Sequence, residues 1–88
     1  MRSWRTSEFK KLYNALPKEV QHQADEAYRL WRQDPSHPGL YFKQVQARRV
    51  TYYSVRIGLH YRALARSEPD GIVWFWIGTH TEYDKMLG

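Results

Sequence analysis

The chain has 88 residues, 42% of them hydrophobic and 16% aromatic; this length fits one small domain, residues 1–88, and the aromatic content excludes intrinsic disorder. It has no cysteine, which excludes a disulfide scaffold, a thiolate zinc site and a cysteine nucleophile and fits a reducing compartment. Fourteen Lys and Arg against nine Asp and Glu give a formal charge of +5, which favours a polyanionic partner, either nucleic acid or an acidic protein.

No apolar run approaches the roughly 20 residues that a bilayer-spanning helix needs. The N-terminus turns polar at once with Arg2, Arg5, Glu8 and Lys10, so no leader sequence is expected. These features predict a soluble cytoplasmic protein with no membrane partner.

Two helices are predicted first. Phe9, Leu12, Tyr13 and Leu16 form one helical stripe between Ser7 and Leu16. Pro17 disfavours helix at Leu16 and suits the first turn of a second helix. There Val20, Ala24, Ala27, Tyr28 and Trp31 keep helical spacing as far as Gln33. So short a link implies a helical hairpin. Asp34-Pro35-Ser36-His37-Pro38-Gly39 then ends it.

The remainder reads as strand. Leu40 to Val45 is a plausible first strand, Thr51 to Ile57 and His60 to Arg66 alternate, and Ser67-Glu68-Pro69-Asp70-Gly71 is a turn. Ile72 to Ile77 is continuously apolar, as expected of a central strand covered on both faces. The predicted class is therefore α+β: a hairpin of two helices packed on a roughly four-stranded antiparallel sheet.

Between Asp34 and Glu68 there is no acidic residue, while Lys43, Arg48, Arg49, Arg56, Arg62 and Arg66 all fall there. A solubilising face usually mixes both signs, whereas arginine forks match phosphate oxygens. Register decides which of them cooperate. A two-residue loop at Gly58-Leu59 places Arg56 and Arg62 on opposite faces. A three-residue loop, Gly58 to His60, sets Val55 against Ala63 and Arg56 against Arg62. Glycine first in the loop favours the former; alignment of the apolar faces favours the latter and decides it. An Arg56–Arg62 pair costs stability, either relieved in water or offset by a bound anion.

Thr79 followed by Glu82 is a capping-box pattern, so a short C-terminal helix is predicted. His80 would stand at its start, with Tyr83 at i+3 and Asp84 at i+4. The helix N-terminus and nearby cations suit the neutral imidazole that a general base requires. Alternatively His80 is a surface residue and Tyr83 packs on Trp76. His22, His37 and His60 share no metal-ligand spacing, and no phosphate-binding glycine loop is present. No metal or other cofactor is expected.

The order of these parts resembles the RelE/ParE superfamily of bacterial type II toxins, particularly the small RelE- or HigB-like members described as ParE-like toxins. The matching residues are Phe9, Leu12, Leu16-Pro17, Asp34-Pro35, His37-Pro38, Leu40 and Phe42-Lys43. They continue through Tyr53-Ser54-Val55-Arg56-Ile57-Gly58, Tyr61-Arg62-Ala63-Leu64, Trp74-Phe75-Trp76-Ile77-Gly78-Thr79-His80, Glu82 and Tyr83. The resemblance implies a metal-independent endoribonuclease that cleaves mRNA by attack of a 2′-OH on the adjacent phosphorus, on or off the ribosome. It assigns His80 as acid or base, Arg56 and Arg62 to the phosphate beneath that imidazole, and Tyr83 to positioning or stacking a base. Lys43, Arg48, Arg49 and Arg66 would bind flanking RNA. It also implies an acidic antitoxin as partner. ParE members act on DNA gyrase, so a gyrase poison without catalysis is the alternative.

Overall fold

The computed structural model describes residues 2–87. In chain order the elements are β1 (Ser3–Arg5), α1 (Ser7–Asn14), α2 (Lys18–Gln33), a short 3-10 turn (Pro38–Leu40), β2 (Lys43–Ala47), β3 (Val50–Ile57), β4 (Tyr61–Glu68), β5 (Gly71–Thr79) and α3 (His80–Leu87). They form an α+β fold with one five-stranded sheet in the order β1-β5-β4-β3-β2.

The helical hairpin forms where the sequence placed it. Thr6 caps α1, its Oγ1 accepting from the Phe9 N–H at 3.0 Å. Gln21 on α2 donates its amide to the Tyr13 and Leu16 carbonyls at 3.0 and 3.2 Å. Carbonyls at a helix end lack intrahelical partners, so this one side chain ties the two helices together. Their apolar stripes cover the inner face of the sheet, where Phe9, Ala24, Trp31, Leu40, Val55, Ile57, Ala63, Ala65, Ile72, Trp74 and Ile77 form the core. Trp31 meets Trp74 edge to face, with centroids 5.3 Å apart. Ala63 and Ala65, almost fully buried, give the two indoles room.

Three features depart from the expected meander. A fifth strand, β1, pairs parallel with β5, held by the Ile72 N–H to the Arg2 carbonyl and the Thr6 N–H to the Trp74 carbonyl, both 3.0 Å. Three residues carry no periodicity, so the pattern did not reveal it. The strand expected from Leu40 begins at Lys43 instead, because Leu40 is buried at the end of the 3-10 turn and Tyr41 takes a left-handed backbone, φ 47°. Finally, β1 makes β5 an interior strand, between β1 and β4, as the continuously apolar run Ile72 to Ile77 led one to expect, but β4 is the middle strand of the five. A register shift there pairs Ala65 with Trp74 but Leu64 with Trp76. Trp74 therefore points into the core, and Phe75 and Trp76 both lie on the outer face, the side away from α1 and α2.

The β3–β4 register is the one that aligns the apolar faces, with Val55 opposite Ala63 and Arg56 opposite Arg62.

Gly71 tests the unforeseen strand. A Cβ there would stand 2.2 Å from the Arg2 carbonyl oxygen, and backbone cannot move aside as a side chain can. Gly71→Ala is expected to lower stability by about 1–3 kcal/mol in urea unfolding. It should also speed hydrogen exchange at the Ile72 amide selectively.

Candidate nucleic-acid interface

The pairing partners fix which side chains share the outer face. Arg56, Arg62 and Gly78 form one row, and Lys43, Ser54, Leu64 and Trp76 the next. Val45, Tyr52 and Arg66 form a third, bordered by Phe75. Basic and aromatic side chains thus interleave on one side of the molecule.

The face is not uniformly open. Ser54 and Leu64 are 0% and 1% exposed, although they point away from the α1–α2 layer. Tyr83 of α3 is also buried, and the Arg62 guanidinium carbon lies 5.2 Å from its ring centroid. Arg62 also donates an NH1 hydrogen to Ser54 Oγ at 3.4 Å, while its Nε–H is buried with no partner. The arginine is therefore held flat between a tyrosine ring and the sheet, with one donor left unpaired.

Arg56 is held differently. Its Nε donates to the Gly58 carbonyl at 3.0 Å, and its guanidinium carbon lies 5.0 Å from the Tyr41 ring centroid. The Cα pairing of Arg56 with Arg62 is as expected, and the two guanidiniums have different partners, Tyr41 and Gly58 for Arg56 and Tyr83 and Ser54 for Arg62.

His80 opens α3. Its backbone N–H donates to the His60 carbonyl at 2.7 Å, anchoring the helix to the β3–β4 loop. Its Nδ1 lies 3.1 Å from Asp84 Oδ2, and its ring centroid is 5.9 Å from that of Tyr83. A carboxylate on Nδ1 orients the ring and leaves Nε2 as the nitrogen that faces a ligand. The side chain is about half exposed, at 51%, so Nε2 has access. Arg62, Tyr83 and His80 form one contiguous run. Tyr83 is buried inside that run with the Arg62 guanidinium over its ring, so its place suits positioning Arg62, and its burial, rather than the cation, disfavours stacking a base.

The capping box is present in full. Thr79 Oγ1 accepts from the Glu82 N–H at 3.1 Å, and Glu82 Oε1 accepts from the Thr79 N–H at 3.0 Å. Beneath it, a Cβ on Gly78 would sit 2.5 Å from the Trp76 ring. Glycine therefore lets the indole lie flat across the end of β5.

The remaining predicted residues do not converge here. Lys43 is one row down, opposite Ser54. Arg66 is stacked over Phe75 at 5.8 Å and paired with Glu68 at 2.9 Å. Arg48 and Arg49 form the tip of the β2–β3 hairpin, both at positive φ, 52° and 68°. Seven residues of extended chain put them about 20 Å from Arg56. Sequence reasoning missed Tyr41, Ser54 and Trp76. Ser54 alone carried a signal, as a small polar residue between Tyr53 and Val55. Among the described residues no three of His, Cys, Asp and Glu come together as a metal site, and no helix is long and apolar enough to cross a membrane.

Residues 18–85 match the ParE-like toxin domain. The chain belongs to that family. Solved structures share the fold of this ParE-like toxin domain. A RelB–RelE antitoxin–toxin complex from Methanococcus jannaschii matches with a TM-score of 0.72 at 15% identity, covering 97% of this chain and 99% of that one. The archaeal RelE–RelB complex from Pyrococcus horikoshii matches at 0.67 and 16% identity, covering 89% and 92%. A copper-bound mutant toxin from Helicobacter pylori matches at 0.64 and 14% identity, covering 92% and 96%. No curated protein matches the sequence. The fold is that of the RelE/ParE toxin superfamily, and in this ParE-like toxin domain the strands and α3 bring the Arg62–Tyr83–His80 run together.

Glu82 gives the run a pH limit. Its bonds to the Thr79 backbone and hydroxyl hold its carboxyl below the ordinary value of 4.5. A depressed folded value means that the carboxylate stabilises the fold above the ordinary value, and that this is lost as pH falls through the lower, folded value. The Thr79 amide resonance is expected to shift, and exchange in α3 to rise, only below about pH 4.5. Glu82→Gln should remove that pH step.

Proposed function

We propose that the chain is the toxin of a type II toxin–antitoxin system and cleaves mRNA in the cytoplasm by transesterification. The observation that carries this is the His80–Tyr83–Arg62 run on a basic, aromatic face. His80 Nε2 takes the proton of the 2′-OH as its oxygen attacks the adjacent phosphorus. The P–O5′ bond breaks, and the leaving oxygen takes a proton from water. The products are a 2′,3′-cyclic phosphate and a 5′-hydroxyl. Arg62, presented by Tyr83, carries the charge that develops on the non-bridging oxygens. Asp84 orients the imidazole. Arg56 and Lys43 meet phosphates beside the cleaved linkage, and Arg48, Arg49 and Arg66 bind flanking RNA more loosely.

Lys43, Arg56 and Arg62 have no carboxylate within ion-pair distance among the described residues. A partner that silences the toxin would supply those carboxylates, which supports an acidic antitoxin that orders on binding. Two of the similar folds were solved as antitoxin–toxin complexes, which supports the same partner. The family match to ParE-like toxins favours one second reading, a gyrase poison that acts by binding alone.

His80→Ala is expected to lower RNA cleavage by about 100-fold or more while RNA affinity stays within about twofold. Expression of the chain alone, with transcript ends mapped, separates the two readings. Cut mRNA and halted translation fit the ribonuclease, whereas intact mRNA with broken DNA fits the gyrase poison.

A further inference from the structure

Tyr41 has no role in the chemistry above, yet it is unusually placed. The residue is 56% exposed, and its backbone sits at φ 47°, a region that aromatic residues rarely occupy. Its neighbours hold it there. The Tyr41 N–H donates to the Pro38 carbonyl at 3.2 Å. Phe42 is partly buried and packs against the core, stacked on Tyr53 with centroids 5.4 Å apart. With Phe42 inward, Tyr41 is left outward. Extending the Lys43–Ser54 pairing by two residues puts it opposite Arg56.

Arg56 is fixed at the same place by the Tyr41 ring and the Gly58 carbonyl. Its two terminal nitrogens make no hydrogen bond among the described residues. Glu26, which lines the cleft behind it, is bonded to Arg29. An exposed tyrosine with an oriented, uncompensated guanidinium over one face of its ring is what a single-stranded nucleotide needs: the opposite face to stack its base, one donor for its phosphate. Arg56 lies one strand from Arg62, about 5 Å across the sheet, and is held over a different tyrosine.

We infer that Tyr41 and Arg56 form a subsite for the nucleotide next to the cleaved linkage, its base stacked on Tyr41 and its phosphate paired with Arg56. This rests on the RNA reading above. The test uses single-stranded RNA octamers, 2′-O-methylated against cleavage, with 2-aminopurine moved through the sequence one position at a time. Binding to the wild type should quench the probe at one position. Tyr41→Gly, which suits φ 47° and so keeps the fold, should abolish that quenching and weaken binding about tenfold. Tyr41→Phe should restore both. Arg56→Gln should lower the slope of log affinity against log salt by about 0.7.

Quenching that survives Tyr41→Gly, or affinity and salt slope both unchanged in the variants, overturns the subsite. A wild type that binds no RNA overturns the subsite and the RNA reading together. A wild type that binds with Tyr41-dependent quenching but cuts no natural RNA leaves the subsite standing and removes only the ribonuclease.

Discussion

The stacking of Arg62 on Tyr83 joins α3 to the sheet, and the arrangement of the outer face depends on it. Two like charges opposite each other on neighbouring strands destabilise by up to about 1 kcal/mol. A cation over an aromatic ring contributes about 0.5–2 kcal/mol, enough to offset that penalty. Arg56 and Arg62 take this route separately, over Tyr41 and Tyr83. The result is a pair of oriented guanidiniums instead of two side chains splayed into water. It also leaves Arg62 Nε buried and unpaired, and a buried donor without a partner costs free energy, which offsets part of the stacking gain.

The same contact sets the position of His80. The capping box fixes where α3 starts, the His60 carbonyl fixes its first residue, and Tyr83 one turn later seats it on Arg62. A short helix of eight residues is too short to hold itself together in water, so its order is borrowed from the sheet. The geometry of the candidate site and local stability are therefore coupled here. Weakening the arginine–tyrosine stack loosens both the helix and the imidazole it carries.

Much of this was legible in the sequence because periodicity encodes it. Alternation over 51–57 and 60–66 specified which residues face each other, and the choice of a three-residue loop followed from the apolar alignment. The capping box announced α3, and the spacing of His80, Tyr83 and Asp84 announced their proximity. What was not legible lacked a period. The strand Ser3–Arg5 is too short to alternate, and the irregularity opposite Phe75 turns Trp76 away from Trp74 without any glycine or proline to mark it. The seat of the Arg56 guanidinium depends on Tyr41, whose position follows from Phe42 packing against the core rather than from any local pattern. Shared fold does not specify chemistry.

The account is tested most directly by the chemistry of RNA ends after incubation with the purified chain, with and without ribosomes. It predicts fragments bearing 2′,3′-cyclic phosphate and 5′-hydroxyl termini, and no cut where the 2′-OH of the cleaved nucleotide is replaced by hydrogen. Cleavage of that 2′-deoxy substrate, or fragments carrying 5′-phosphates, would contradict it.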